Sequence, residues 1–435
     1  MVDLLPLLAV VPMIGALLVL SVRNPLGVAL PAYAAVIPFG GLLSVGASGF
    51  SSLSSALGIA LGAGLILQLM SARRVVAAPS PTVALWLMFL GLAGFTVWWS
   101  ITPSRTASGF VILTSLVLVY VLVALSPADR GVLTRVENAL ILGGLVAVGY
   151  GLTQFLFLGG FPANDPGGGL VEGGGRFGND LLGPNNEAVA LLLPLMVALS
   201  RSVTLSRRSV RLFHVAIATV LALGIVMTGS RGGLIATFAA FVALAFVTPG
   251  GKAKLLAGGA VGAALVAVVF FAHPGGLATR DVQTTSSSGR TDIWKVGLAA
   301  CPQYCLGGAG WETFPDVYAA TQASVPDAEV LVGGGTYEPH NVWLLALIEL
   351  GLPGLLLLDG ALGMTFVEAV RLPARLRGPP LSGLVGTVLA AFFLSNLEFK
   401  FFWMSLMIVA VSRNVAVTER ASLESARQPS KGTVS

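Results

Sequence analysis

Apolar stretches of 17–22 residues recur along the whole chain. Each is long enough to cross, as a helix, the roughly 30 Å hydrocarbon core of a bilayer. Lipid offers a backbone no hydrogen-bond partner, so such segments must satisfy their own amides, which an α-helix does. The stretches predict spans near 4–22, 26–45, 55–72, 82–101, 109–126, 137–158, 187–203, 211–229, 233–248, 255–273, 341–358, 381–397 and 400–416. The chain is therefore expected to be an all-α polytopic membrane protein, a bundle of 12–13 transmembrane helices with the lipid bilayer as its first partner. Only 10% of its residues are charged, against about a quarter in a soluble domain. Its 435 residues thus build one bundle rather than several water-soluble domains.

Basic residues orient that bundle. Of 25 Lys and Arg, 17 fall in six clusters: Arg73/Arg74, Arg130/Arg135, Arg201/Arg207/Arg208/Arg211, Lys252/Lys254, Arg371/Arg375/Arg377 and Arg413/Arg420/Arg427/Lys431. Such residues collect in cytoplasmic loops. Placing the clusters inside leaves three segments outside: a short one around Arg105, one over 159–186, and a long loop over 274–340. Charge dispersed among short loops speaks against a nucleic-acid partner. Residues 4–22 lack a basic leader and a small-residue cleavage site, which reads as a retained span. Thirteen spans would put the N-terminus outside, against Arg23; the alternative is 12 spans with one N-terminal stretch half-embedded. The expected divisions are N-terminal helices over 1–158, central helices with a Gly-rich outer segment over 159–273, the outer loop over 274–340, and C-terminal helices over 341–416. The polar tail, 417–435, cannot build a core and is expected to be disordered.

The 38 residues of 211–248 would form a helix nearly twice the bilayer thickness at about 1.5 Å per residue, so the segment must turn back. The turn signal is Thr228-Gly229-Ser230-Arg231-Gly232-Gly233, on the outer side. Arg231 there reads either as a snorkelling interface residue or as an anion site. Flanking glycines admit close backbone approach, the next helix points its positive end at the turn, and guanidinium forks phosphate bidentately. Arg290 precedes Thr291-Asp292-Ile293-Trp294, whose spacing suggests a short amphipathic helix on the membrane. It is a solvated loop residue or a second phosphate or glycan contact. Of three histidines, His214 reads as structural, His273 closes a span, and His340 begins a helix with Asn341 after the long outer loop. A helix start disfavours imidazolium, so His340 is a candidate neutral base, with Glu338 near enough to orient it.

The histidines are too far apart, and the acidic residues too irregular, for a metal site, and nucleotide-binding signatures are absent from the sequence. No metal or cofactor is expected, so the substrate must supply the energy. Cys301 and Cys305, in the outer loop, are bridged or stacked one helical turn apart; spacing alone leaves both open.

Three segments resemble the superfamily of O-antigen ligases and O-antigen polymerases, bacterial envelope glycosyltransferases. They are Gly175-Arg176-Phe177-Gly178-Asn179 with Pro184-Asn185-Asn186-Glu187-Ala188; then the Thr228–Gly233 turn; then Gly289-Arg290-Thr291-Asp292-Ile293-Trp294 with Pro339-His340-Asn341 and Glu349-Leu350-Gly351-Leu352-Pro353-Gly354. The resemblance implies an inner-membrane enzyme working on the periplasmic face without metal. Its donor would be a glycan on undecaprenyl diphosphate, and its acceptor a hydroxyl on a lipid-anchored glycan of the lipid A-core type. Arg231 and Arg290 would hold the diphosphate and His340 would be the base. Arg176, Asn186, Glu338 and Asn341 would contact substrate. The Gly runs at 167–169 and 173–175, and the two cysteines, depart from the family pattern. A polymerase of the same superfamily is the alternative, and a transporter or flippase a more distant one. Transport would call for ionisable residues mid-helix, whereas Glu349, Asp359, Glu368, Glu398 and Lys400 lie near predicted helix ends.

Overall fold

The structure is a computed structural model that describes residues 4–39, 52–71, 80–157, 177–178, 182–248, 250–251, 259, 290–326, 328 and 337–427. Among these residues every regular element is helical. In chain order they are α1 (Leu4–Arg23), α2 (Leu30–Val36), α3 (Leu53–Ser71), α4 (Pro81–Phe95), α5 (Pro103–Leu125), α6 (Arg130–Phe157), α7 (Pro184–Ala190), α8 (Leu192–Thr204), α9 (Arg208–Met227) and α10 (Arg231–Val247). Then follow α11 (Arg290–Ala299), α12 (Cys301–Tyr304), α13 (Phe314–Thr321), α14 (Val342–Glu349), α15 (Gly351–Arg371), α16 (Ala374–Ala390) and α17 (Lys400–Arg427).

Eight helical segments among the described residues are long and apolar enough to cross a membrane, and Pro12–Arg23, Pro25–Phe39 and Arg231–Val247 are shorter apolar helices. The chain is thus an all-α polytopic membrane protein. The span expected at 255–273 lies, apart from Gly259, outside the described residues. α1 and α2 are joined by a single π turn, Pro25–Ala29, capped by Asn24. That turn packs into the body of α3, where Gly64 has room for no more than the Val22 carbonyl, 2.7 Å from an ideal Cβ position.

α17 forms the axis of the bundle. It is buried on every side from Phe401 to Ser412, as befits a helix apolar all round. Trp403 meets Trp86 of α4 with ring centroids 4.8 Å apart, and its indole N–H donates to the Leu397 carbonyl at 2.6 Å. α10 packs along α16, whose Gly386 leaves its Cβ position 2.9 Å from Ala240 Cβ.

The two ends differ in charge. At one end Arg201 reaches Glu137 (2.7 Å) and Asn138 (2.5 Å), Arg375 pairs with Glu419, and Asp129, Arg130 and Arg375 share a groove. Arg130 and Arg375, from two of the basic clusters, thus share one groove. The other end carries Arg105, Arg231 and residues 290–326 and 337–341.

Two expectations are corrected. Residues 417–427, expected to be disordered, continue α17 to Arg427, with Glu419 anchored by Arg375. The span expected at 341–358 is two helices that run on to Arg371 and break at Leu350–Gly351, Gly351 taking a φ of 69°.

Candidate functional site

The Thr228–Gly233 hairpin forms as its residues dictate. α9 ends at Met227, Gly229 takes the left-handed conformation (φ 63°), and Ser230 caps α10 by accepting from Gly233 N at 3.2 Å. Arg231 is the first residue of α10, exposed, and it pairs with no carboxylate among the described residues. Its two following glycines act by their missing side chains. A Cβ at Gly232 would lie 2.9 Å from Phe393 Cβ, and one at Gly233 would lie 2.6 Å from Ala188 Cβ. The α16–α17 turn and α7 can therefore close directly onto the helix start that carries Arg231.

α7 brings Asn186 to the same place. Asn186 Nδ2 donates to the Leu182 carbonyl at 3.2 Å, while its Oδ1 is buried without a partner. Arg176 lies outside the described residues. Its neighbour Phe177 is buried on α6, with Cζ 2.8 Å from the Cβ position of Gly151.

From the other side, the α16–α17 turn holds the start of α14. Ala391 O accepts from Val342 N at 3.0 Å, and Trp343 stacks on Phe392 with centroids 3.9 Å apart. Asn341, rather than His340, is the residue that caps α14: its Oδ1 accepts from Trp343 N and Leu344 N at 3.0 Å each. His340 sits one position earlier with a φ of 46°, a left-handed conformation that histidine tolerates better than most residues.

α11 reaches this point too. It begins at Arg290 and buries Ile293, Val296 and Gly297 in a small core with Phe314, Leu344 and Ile348. Its Trp294 Nε1 donates to the Pro339 carbonyl at 2.7 Å, next to His340. Burial, and then the nearby charge of Arg290, push the His340 imidazole down to about 4. Burial, and then the nearby charge of Glu398, push the Glu338 carboxyl up.

Residues 306–316 are docked by the helix break that Glu349-Leu350-Gly351 creates. Breaking a helix frees carbonyls, and here Ile348 O accepts from Ala309 N and Glu349 O from Gly310 N, both at 2.9 Å. The buried Glu349 carboxylate accepts from Glu312 N and Phe314 N, again at 2.9 Å each. Thr106 Oγ1 donates to Trp311 O at 2.7 Å, and Arg105 pairs with Asp316 at 3.6 Å. Cys301 and Cys305 form a disulfide in this loop.

Docking encloses a cavity of about 300 Å³ bounded by Arg105, Glu312, Glu338, Glu349, Ser395 and Glu398. Sequence reasoning singled out only Glu338 of these as a site residue. The others come from four separate stretches with no shared spacing, and of them only Glu349 fell in a segment of the family resemblance. His214 is buried within α9 and bonds the Val210 carbonyl at 2.8 Å, a structural role as expected. Among the described residues no group of His, Cys, Asp and Glu could hold a metal ion.

These features define a multi-pass helical membrane protein with a polar site where helix starts converge at one end of the bundle. Residues 215–358 match the O-antigen ligase family model, so that segment of the chain is similar to the O-antigen ligases. The matched segment contains Arg231, Arg290, Glu338, His340 and Asn341, and leaves out Arg176 and Asn186. No curated protein matches the chain.

Proposed function

We propose that this protein transfers a glycan from undecaprenyl diphosphate to a hydroxyl of a lipid-anchored acceptor of the lipid A-core type, on the periplasmic face of the bacterial inner membrane. The observation that carries the reading is the convergence of α7, α10, α11 and the start of α14 on one end of the bundle, bringing the surroundings of Arg231, Arg290 and His340 together. A diphosphate attached to a membrane lipid lies at the depth of helix ends. Arg231 and Arg290 supply guanidinium forks there, and the α10 and α11 starts add their positive dipole ends.

In the reaction the acceptor oxygen attacks the anomeric carbon and the bond from that carbon to the phosphate oxygen breaks. The diphosphate leaves with the electron pair, and His340 takes the hydroxyl proton. Stabilising the leaving charge is the arginines' contribution; removing the proton is the imidazole's. No metal or cofactor enters. Asn186, Arg176, Glu338 and Asn341 are assigned to substrate contact. The Asn341 Oδ1 is already engaged in capping, so its amide N–H₂ is the group left for that role.

Burial, and after it the charge of Arg290, depresses His340; a bound diphosphate would screen the guanidinium and lift only that second part. Purified protein in vesicles, given the lipid-linked glycan and lipid A-core, should convert the core to a glycan-bearing product without an ion gradient. Chain extension on the donor alone would favour the polymerase, and glycan translocation without a new bond would reject both.

A further inference from the structure

α14 does not run straight on into α15; it folds back beside it. Trp343 Nε1 donates to Asp359 Oδ1 at 2.8 Å across 16 residues of chain. A straight helix would hold two such residues about 24 Å apart. The reversal falls at Leu350–Gly351, where Gly351 takes a φ of 69°. The start of α14, with His340 just before it, is thereby brought beside Asp359, about 12 Å along α15 from Gly351.

Hydropathy left Asp359 just past the end of a predicted span. The structure puts it inside α15, on the stripe that carries Leu352, Leu356, Phe366 and Val370, all exposed. α15 meanwhile buries Leu358, Ala361, Leu362 and Thr365 and packs on α4, α16 and α17. The exposed stripe of a membrane-crossing helix faces lipid, where a carboxylate is costly and is seldom kept without a function. No basic side chain pairs with Asp359 among the described residues. What meets it is the Trp343 indole.

That indole steers the start of α14. Phe392 stacks on it with centroids 3.9 Å apart, and Asn341 Oδ1 accepts from Trp343 N at 3.0 Å. Stacking sets the separation of two rings and leaves them free to slide past each other. A directional hydrogen bond at the ring edge stops the slide. We propose, resting on the transferase reading above, that Asp359 is a positioning residue. Through Trp343 it fixes the start of α14, and so the place of His340 against the acceptor hydroxyl.

The test compares Asp359→Leu, Asp359→Asn and Trp343→Phe in the full-length protein in vesicles, given lipid-linked glycan and lipid A-core. Leucine removes the acceptor, asparagine keeps one, and phenylalanine keeps the stack without the donor. Asp359→Leu and Trp343→Phe should each lower kcat about tenfold, the cost of a misplaced catalytic group, with donor KM unchanged. The melting temperature of Asp359→Leu should hold or rise, because a lipid-facing charge is gone. Asp359→Asn should restore kcat, and the Asp359→Leu/Trp343→Phe protein should lose no more than either single variant. A second readout needs no transfer: diethyl pyrocarbonate should modify His340 faster in Asp359→Leu, and at the wild-type rate in Asp359→Asn.

Wild-type kcat in Asp359→Leu, a melting temperature that falls in step with activity, an asparagine variant as slow as the leucine one, or additive losses in the double variant would overturn the assignment. Should Asp359→Leu fail to fold, Trp343→Phe against Asp359→Asn makes the same comparison. A wild-type protein that transfers nothing, yet shows the expected His340 modification pattern, would sink the transferase reading alone. Transfer with kcat and His340 modification both untouched by Asp359→Leu would sink the positioning role alone.

Discussion

The indole N–H of Trp294 donates to the carbonyl of Pro339 at 2.7 Å, tying the helix that Arg290 begins to the residue before His340. One bond thereby ties the arginine proposed to bind the diphosphate to the candidate base. Trp294→Phe keeps the ring and removes the bond. A neutral hydrogen bond contributes about 1 kcal/mol, so the melting temperature should drop only slightly. Turnover should fall more, by roughly tenfold, because small misplacements of a catalytic group are costly. Transfer assays beside thermal unfolding check this, and parallel small losses in both would make the bond merely structural.

The pH profile should carry the mark of Arg290. Burial and that guanidinium bring His340 down from 6.5 to about 4, and a base is lost on protonation. The acid limb of kcat/KM, which reports free enzyme, should therefore fall through about pH 4 rather than 6.5. In the donor complex the diphosphate screens Arg290, so the limb of kcat should lie at higher pH. The same depressed value makes the unfolded chain the better proton binder between 6.5 and 4. His340 then leaves stability intact above pH 6.5 and erodes it as pH falls toward 4. Both profiles breaking together near 6.5 would indicate an exposed imidazole.

Arg231 and Arg290 should not tolerate lysine, which cannot fork a phosphate. Arg231→Lys and Arg290→Lys are each expected to lose ten- to a hundred-fold in kcat/KM, about 1.5–3 kcal/mol, at unchanged abundance in the membrane. Near-normal kinetics for both would exclude the diphosphate role.

Glu349 should matter for architecture. Glu349→Ala strips partners from Glu312 N and Phe314 N, and each buried orphan costs about 1–3 kcal/mol. Limited proteolysis should then cut the loop around 306–316 while the bundle stays intact. A loop that remains resistant would mean the two amides find other partners.

Much of this was legible in the sequence, for identifiable reasons. The Thr228–Gly233 turn had to exist because 38 apolar residues exceed a bilayer, and the residues that make it are local. The amphipathic helix at Arg290 was equally local. The helix break at Gly351 was visible as a motif, but its purpose was not: it frees carbonyls that accept from Ala309 and Gly310, some forty residues away in sequence. The acidic cavity gathers Arg105, Glu312, Glu338 and Glu398 through that docking, and nothing in their spacing announces it. The helix through 417–427 was missed because its composition suits solvent, while its anchor, Arg375, lies on another helix.

The most direct test of the account is single-turnover transfer by purified protein in vesicles, with undecaprenyl-diphosphate-linked glycan as donor and lipid A-core as acceptor, comparing wild type with His340→Gln at pH 7. Loss of about 10²–10⁴-fold in the transfer step, the usual contribution of a general base, with donor binding retained through Arg231 and Arg290, is the predicted result. A His340→Gln protein that transfers glycan at near the wild-type rate would contradict it.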